Sequence, residues 1–135
     1  DCSTNSNYSQ LTTLDISKNI ALMTLNCSSN QLTTLDVSNN TALTSLNCSY
    51  NQLTTLDVSK NTALTGLKCT SNQLLSLNLK NGNNTKLDIY DSNFKYNTNL
   101  SCIQVDNFRY ANTNWYGLKD DRASYSDNCS SLGIT

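Results

Sequence analysis

The feature that most constrains the fold is an internal repeat. The segment from Leu22 to Val37 recurs in register 21 residues later, from Leu43 to Val58. A third copy begins at Leu64 with the same spacing of leucines, one cysteine and one asparagine. A unit this short cannot bury its apolar face alone, so neighbouring copies stack and share a core. The sequence therefore predicts a solenoid.

Each copy contains two half-turns of similar pattern, about ten residues apart. Their last apolar residues are spaced i and i+2, as in Leu46 and Cys48 of one half and Leu56 and Val58 of the other. This alternation is typical of a strand with one buried face. We expect two short strands per coil and two parallel sheets on opposite sides of a flattened solenoid, each coil adding about 4.8 Å of height.

The register extends beyond the three clear copies. Upstream, Cys2 takes the cysteine position if residues 3–9 form a widened turn, and Leu11, Leu14 and Ile16 match the second half. Downstream, one sheet continues through Leu87 and Ile89, and the other continues, after a longer loop over residues 93–99, through Leu100, Ile103 and Val105. We expect a mainly β chain with about four to five 21-residue coils over residues 1–105. Residues 106–135 then form a C-terminal cap of the same domain.

The composition and the charge exclude several partners. The chain has 135 residues and a formal net charge of -1 with scattered Lys and Arg, so it lacks the basic surface that nucleic acids require. No apolar run approaches the roughly 20 residues that cross a bilayer. The N-terminus shows no signal sequence, so an exported protein would already have lost it. We expect one monomeric domain without membrane insertion.

The repeat also resembles a known family. The pattern L-x-x-L-x-C-x-x-N-x-L-x-x-L-D-V-S-x-N is similar to the leucine-rich repeat in its short nested bacterial form, called IRREKO, over about residues 10–105. Residues 99–106, Trp115 and residues 126–129 resemble the closing cap of such proteins from gliding and marine Bacteroidetes. The resemblance implies a secreted or cell-surface location and a place within a larger secreted protein.

Repeated polar and thiol residues have structural interpretations. One asparagine per coil occupies a turn, where its amide can satisfy backbone groups that a tight bend leaves unpaired. The repeated cysteines occupy small apolar positions and read as core thiols, too far apart along the ladder for disulfides and without the close pairs of a zinc site. These predicted ladders comprise Asn30, Asn51 and Asn72, and Cys27, Cys48 and Cys69.

Two other cysteines differ from this row. Cys102 lies between Leu100 and Ile103 and should point away from the core, and its natural partner is Cys129. The predicted disulfide closes the C-terminal cap, contributes about 3 to 4 kcal/mol by loop length and indicates an oxidising compartment. Most aromatic and large apolar residues of this region should form the core of the cap: Phe108, Tyr110, Trp115, Tyr116, Leu118 and Tyr125.

The outward positions give two candidate surfaces. On one face Asp15, Asp36 and Asp57 form a row, whose repulsion is offset by neighbouring hydroxyls and lysines or, alternatively, by a bound cation such as calcium. On the other face aromatic residues lie near amide and charged side chains, which is typical of sugar binding by stacking and directed hydrogen bonds. This candidate ligand site comprises Tyr50, Tyr90, Phe94, Tyr96, Asn47, Lys68 and Asp88.

These features favour binding over catalysis. The chain has no histidine, no nucleophile beside a base, no glycine-rich phosphate loop and no metal motif, so we expect neither an enzyme nor a cofactor. The leading hypothesis is a protein-binding or adhesion module at the bacterial cell surface, whose partner is an extracellular protein or polysaccharide. Carbohydrate binding through the exposed aromatics is the alternative. Ice binding by the flat ranks of Thr, Ser and Asn is a third hypothesis, which the Asp row argues against.

Overall fold

The computed structural model describes residue 2 and residues 11–132, and these residues form a mainly β structure. The expected widened turn over residues 3–9 lies outside the described part. Every strand is three residues long and buries its central residue. The strands are β1 (Thr24–Asn26), β2 (Ser45–Asn47), β3 (Thr55–Asp57), β4 (Gly66–Lys68), β5 (Ser76–Asn78), β6 (Cys102–Gln104) and β7 (Ser124–Ser126), and the helix α1 spans Phe108–Asn114.

The first sheet has the strand order β1-β2-β4 and is parallel throughout. Leu25 pairs with Leu46 and Leu46 with Leu67, so equivalent leucines of successive copies lie side by side in the core. The hydrogen bonding continues past the strand ends, where Cys48 N donates to Lys68 O at 2.9 Å. This arrangement confirms that the repeats stack as coils with their leucines inward.

The second sheet has the order β3-β5-β6-β7 and is also parallel. It confirms two parallel sheets, and Ile103 continues it beside Leu77 as expected. The expectation of two strands in every coil is wrong, because residues 13–15 and 34–36 form no strand. Strand pairing in the second sheet begins with β3 and β5, where Asp57 lies beside Asn78 and not beside a second carboxylate.

The predicted continuation of the first sheet through Leu87 and Ile89 is also wrong. Residues in this region form two short 3-10 helices, Asn84–Lys86 and Ile89–Asp91. The sheet resumes only at Asn93, which makes a parallel bridge with Lys68. This coil contains four more residues than its predecessors, so the 21-residue register cannot be extended across it.

Two rows of asparagine hold the turns together. Asn51 Nδ2 donates to the carbonyl oxygens of Cys27 and Cys48, and its Oδ1 accepts from Leu32 N at 3.0 Å. Asn30, Asn72 and Asn97 repeat this pattern in their own coils. On the opposite side Asn61 Nδ2 donates to Val37 O and Asn40 O, both at 2.9 Å. The predicted asparagine ladder is therefore a network that connects successive coils.

The cysteines divide as the sequence predicts. Cys27, Cys48 and Cys69 are free thiols with no exposed surface and belong to the hydrophobic core. Cys102 and Cys129 form a disulfide, which confirms the predicted pair. Because Cys102 belongs to β6 and Cys129 begins the 3-10 helix Cys129–Leu132, the bond joins the C-terminal segment to the second sheet.

The segment after residue 105 packs on the last coil. Trp115 contacts Phe94 and Tyr125 edge to face, with ring centroids 6.0 and 5.4 Å apart. Leu118 is buried beside them, whereas Phe108 and Tyr116 are exposed. The expected aromatic core thus includes Trp115 and Tyr125 but not every aromatic residue of the segment. None of the helices in the described ranges has the length and apolar character needed to cross a membrane.

Candidate binding surface

A shallow depression of about 380 Å³ lies on the outer face of the first sheet. We call it the tyrosine depression. Its lining includes Asn47, Ser49, Tyr50, Lys68, Thr70 and Tyr90. Side chains from separate coils meet here because parallel pairing places equivalent outward residues, such as Asn47 and Lys68, directly beside one another.

Tyr50 lies in the turn that follows β2. Its φ of 57° is in the left-handed region, as are the φ values of Ser29, Ser71 and Tyr96 at equivalent turns. The two serines show that this backbone conformation does not need an aromatic side chain. Tyr50 is 60% exposed, so its ring contributes little to the core and is available to a partner.

Tyr90 reaches the depression from the 3-10 helix Ile89–Asp91. The Asp88 carboxylate caps this helix, accepting a hydrogen bond from Tyr90 N at 2.8 Å. Tyr90 is 92% exposed, the highest value among the exposed large apolar and aromatic residues in the described ranges. A tyrosine so exposed on an anchored turn offers its ring to a partner, and tyrosine is enriched among the residues that dominate binding at interfaces.

The charge of Lys68 in the tyrosine depression is balanced by Asp91, which lies outside the lining. Lys68 Nζ lies 3.0 Å from Asp91 Oδ1, and both side chains are about half exposed. The other polar groups that line the depression are hydroxyls and amides, such as Ser49, Thr70 and Asn93. The surface is therefore neutral overall and rich in hydrogen-bonding groups.

The structure brings together four of the residues predicted for the ligand site, namely Tyr50, Tyr90, Asn47 and Lys68. Phe94 does not join them. It is 1% exposed and packs on Trp115, so its assignment as a stacking residue is wrong. The physical reason is the four-residue insertion, because Phe94 follows Asn93 as Cys69 follows Lys68 and so takes the buried cysteine position.

The other two residues predicted for the ligand site, Tyr96 and Asp88, lie outside the tyrosine depression. Tyr96 is 65% exposed in its left-handed turn but does not line the depression, and Asp88 acts as the helix cap. The sequence interpretation missed Asp91, which pairs with Lys68. The sequence does contain one indication that a side chain approaches this strand, because Gly66 stands where the earlier strands have Thr24 and Ser45.

Each carboxylate of the Asp row on the other face accepts a hydrogen bond within its own turn. Asp36 Oδ1 accepts from Ser38 N at 2.9 Å and from Ser38 Oγ at 2.6 Å, and Asp15 and Asp57 accept from the backbone N two residues on. The hydrogen bonds from Ser17 and Ser38 lower the pKa of Asp15 and Asp36 below the ordinary value. Among the residues that the structure describes, no three acidic, cysteine or histidine side chains form a group able to hold a metal ion.

The buried thiols are poor nucleophiles. Burial raises the pKa of Cys69 to about 12, and burial together with the neighbouring Cys2 raises the pKa of Cys27 to about 12. Burial also raises the pKa of Cys48 well above its ordinary value. Because the thiolate is the reactive form, these residues act as core side chains at neutral pH.

Comparison with known proteins identifies the type of fold. No family model matches the chain, and a search of curated proteins gives no significant match. A solved structure does match: the functional domain of InlJ from Listeria monocytogenes, described as including a cysteine ladder, with a TM-score of 0.55 and 31% sequence identity. The match covers 93% of this chain and 30% of that chain. Together with the stacked leucine coils, this similarity places the chain in the leucine-rich-repeat type of fold.

Proposed function

We propose that this chain is a non-catalytic binding module that recognises an extracellular protein through the tyrosine depression. The observation that carries the proposal is the meeting of Tyr50 and Tyr90, from different coils, around a polar surface. Exposed tyrosines anchored on a rigid scaffold provide large contact areas at low conformational cost, which is why they dominate many protein interfaces. The leucine-rich-repeat type of fold supports the same class of function.

The proposed location is extracellular, at the bacterial cell surface. Its support is the Cys102–Cys129 disulfide, since such bonds persist in oxidising compartments. In the same proposal the segment after residue 105 is the cap of the domain. Packing of Trp115 against Phe94 and Tyr125 supports this role, because the end of a solenoid needs an apolar cover.

Carbohydrate binding is a second candidate function for the same surface. The specific observation in its favour is that, among the residues that the structure describes, none that lines the tyrosine depression has an aliphatic side chain. Protein hot spots commonly include apolar anchors, whereas a neutral sugar needs aromatic faces together with hydroxyl and amide groups. Ice binding is not proposed, because the projecting tyrosines and the Lys68–Asp91 pair interrupt the flat ranks on the first sheet, and the Asp row interrupts those on the other face.

The test compares the chain with a variant that restores the repeat. Tyr50→Ser introduces the residue found at the equivalent turns, Ser29 and Ser71, so the left-handed backbone should be preserved. The wild-type chain and this variant would be applied to immobilised extracellular proteins and to an array of neutral oligosaccharides. Binding to a protein that weakens at least tenfold in Tyr50→Ser is expected.

Tyr116→Ser is the matched control, because Tyr116 is 73% exposed and does not line the depression. It should bind as the wild type does. Binding to oligosaccharides alone, again lost in Tyr50→Ser, would favour the second candidate. Binding that Tyr50→Ser leaves intact would place the recognition surface elsewhere and contradict both.

A further inference from the structure

The longer coil after Cys69 crosses the edge of the first sheet in an unusual way. We call residues 88–92 of this coil the strap. In the regular coils a row of hydrogen bonds marks the start of each strand, where Thr44 N donates to Met23 O and Thr65 N donates to Thr44 O. Asp88 N continues this row, donating to Thr65 O at 2.7 Å. The strap therefore begins in register with the sheet.

The strap then leaves the register and returns to it. After Asp88 the chain forms the 3-10 helix Ile89–Asp91, which carries Tyr90 outward. Ser92 Oγ accepts from Leu67 N at 3.2 Å, and Asn93 N donates to Leu67 O at 2.9 Å, so pairing resumes. From Thr65 to Lys68 the chain advances by three residues, and from Asp88 to Asn93 by five, so two of the extra residues of this coil lie in the strap. The strap thus forms an arch over the edge of β4, with Tyr90 at its top.

The arch fits because β4 begins with glycine. Equivalent positions in β1 and β2 hold Thr24 and Ser45, so the repeat itself does not call for glycine there. A Cβ atom on Gly66 would overlap the Asp91 carboxylate and lie 3.0 Å from Asp91 Cγ. Gly66 has no left-handed φ, so its role is to leave space rather than to relieve backbone strain.

We propose that Gly66 is a positioning residue, because the side chain it lacks lets the strap lie against β4 and so holds Tyr90 at the tyrosine depression. The inference rests on the proposed function for its biological meaning, since it assigns the element that makes this surface specific. The insertion turns one ordinary coil into a recognition element, and the missing side chain at Gly66 is what admits it.

Space at Gly66 matters more than the charge of the ion pair. Lys68 and Asp91 are about half exposed, and ion pairs of this kind contribute little to stability in water. Rotation of the half-exposed Asp91 side chain would relieve only part of the overlap, because Asp91 O, a backbone atom of the strap, also lies 3.2 Å from the added Cβ. A side chain at residue 66 therefore displaces the strap. Gly66→Ser should therefore disturb the strap far more than Asp91→Asn does.

Amide hydrogen exchange of the folded full chain tests the inference. The amides of Asp88 and Asn93 donate to Thr65 O and Leu67 O of the neighbouring coil, and the amide of Tyr90 donates to the Asp88 carboxylate. Their exchange rates therefore report whether the strap stays hydrogen-bonded in place against β4. In Gly66→Ser we expect at least tenfold faster exchange at these amides, with exchange at Leu46 unchanged. In Asp91→Asn the increase should stay below about threefold.

A compensating variant distinguishes a local displacement of the strap from a general loss of stability. Removing the carboxylate in Gly66→Ser/Asp91→Gly relieves the closest overlap and leaves the 3.2 Å contact with Asp91 O, so exchange at Asp88 and Asn93 should be slower than in Gly66→Ser. Ser45→Gly, at the equivalent position of β2, is the matched control and should leave the strap unaffected. Unchanged exchange in Gly66→Ser, or exchange in the double variant as fast as in Gly66→Ser, would overturn the inference.

Binding of the same variants to the protein and oligosaccharide sets described above distinguishes this inference from the proposed function. Gly66→Ser should lose at least tenfold in affinity and the double variant should regain part of it. If the strap loosens while affinity is unchanged, the positioning role is wrong and the binding surface survives. If the wild-type chain binds nothing in either set, the proposed function fails, while the exchange data still decide whether Gly66 holds the strap against β4.

Discussion

The side-chain amide of Asn51 donates a hydrogen bond of 3.1 Å to the carbonyl oxygen of Cys27, which lies one coil earlier in the stack. The same nitrogen donates to Cys48 O in its own coil, at 3.0 Å. One buried side chain therefore satisfies backbone groups of two successive turns. Because Asn72 and Asn97 repeat the arrangement, the coils are connected by side chains as well as by strands.

Replacing Asn51 should therefore be costly. In Asn51→Ala the carbonyls of Cys27 and Cys48 and the amide of Leu32 lose a buried partner, and we expect the free energy of unfolding to fall by about 3 kcal/mol. Urea denaturation followed by circular dichroism measures this loss. Asn39→Ala, at an exposed position, should change the free energy by less than about 0.5 kcal/mol. Equal effects of the two substitutions would contradict the ladder.

The disulfide should stabilise the chain against unfolding. It joins residues 27 positions apart, for which loop entropy gives a contribution of about 3 to 4 kcal/mol. We expect Cys102→Ala/Cys129→Ala to lower the denaturation midpoint and to make stability independent of a mild reductant. The wild-type chain should weaken when the reductant is added. No change in the wild type on reduction would show that the bond does not contribute.

Alkaline pH should destabilise the folded chain because its core thiols ionise more readily once the chain is unfolded. An unfolded thiol ionises near the ordinary value of 9.0, whereas burial raises the folded pKa of Cys27 and Cys69 to about 12. Their contribution is therefore complete below pH 9 and is lost as the pH rises from 9 towards 12, by about 1.4 kcal/mol per pH unit for each thiol. Denaturation at a series of pH values measures the slope.

Cys27→Ala/Cys69→Ala is the control for this titration. It is less stable at neutral pH, yet its free energy of unfolding should fall less steeply above pH 9, by about 3 kcal/mol per pH unit. Parallel pH profiles for the two proteins would assign the alkaline loss to other groups.

The Asp row should not bind calcium. Each of Asp15, Asp36 and Asp57 uses one carboxylate oxygen to accept from the residue two positions on, and the described residues gather no metal-holding group. We expect calcium to give no binding heat by calorimetry and no change in melting temperature. Saturable heat that disappears in Asp36→Asn would restore the cation hypothesis.

Much of the architecture could be predicted because the repeat encodes it directly. The spacing of Leu46 and Cys48 places both side chains on one face of a strand, and stacking then follows from the recurrence. The disulfide was predictable from Cys102, whose position between two inward residues points its side chain outward. The sequence could not show that residues 34–36 remain unpaired, because strand pairing there depends on interactions between coils rather than on local pattern.

The candidate site was predicted only in part. Tyr50 and Tyr90 meet as expected, but Phe94 is buried because four inserted residues shift the register. A local signal was present, since Phe94 precedes Asn97 by three positions as Cys69 precedes Asn72. Gly66 is the other local indication, but the sequence does not show why a glycine is needed there, because the Asp91 carboxylate that occupies the space is distant in sequence.

The most direct test of the proposed binding surface is the dissociation constant of Tyr50→Ser/Tyr90→Ser, measured by biolayer interferometry on whichever immobilised molecule the wild-type chain binds. Both rings line the depression and neither belongs to the core, so the double variant should fold normally. We predict an affinity at least a hundredfold lower than that of the wild type, about 2.7 kcal/mol, with Tyr116→Ser unchanged. A folded double variant that binds as tightly as the wild type would contradict the account.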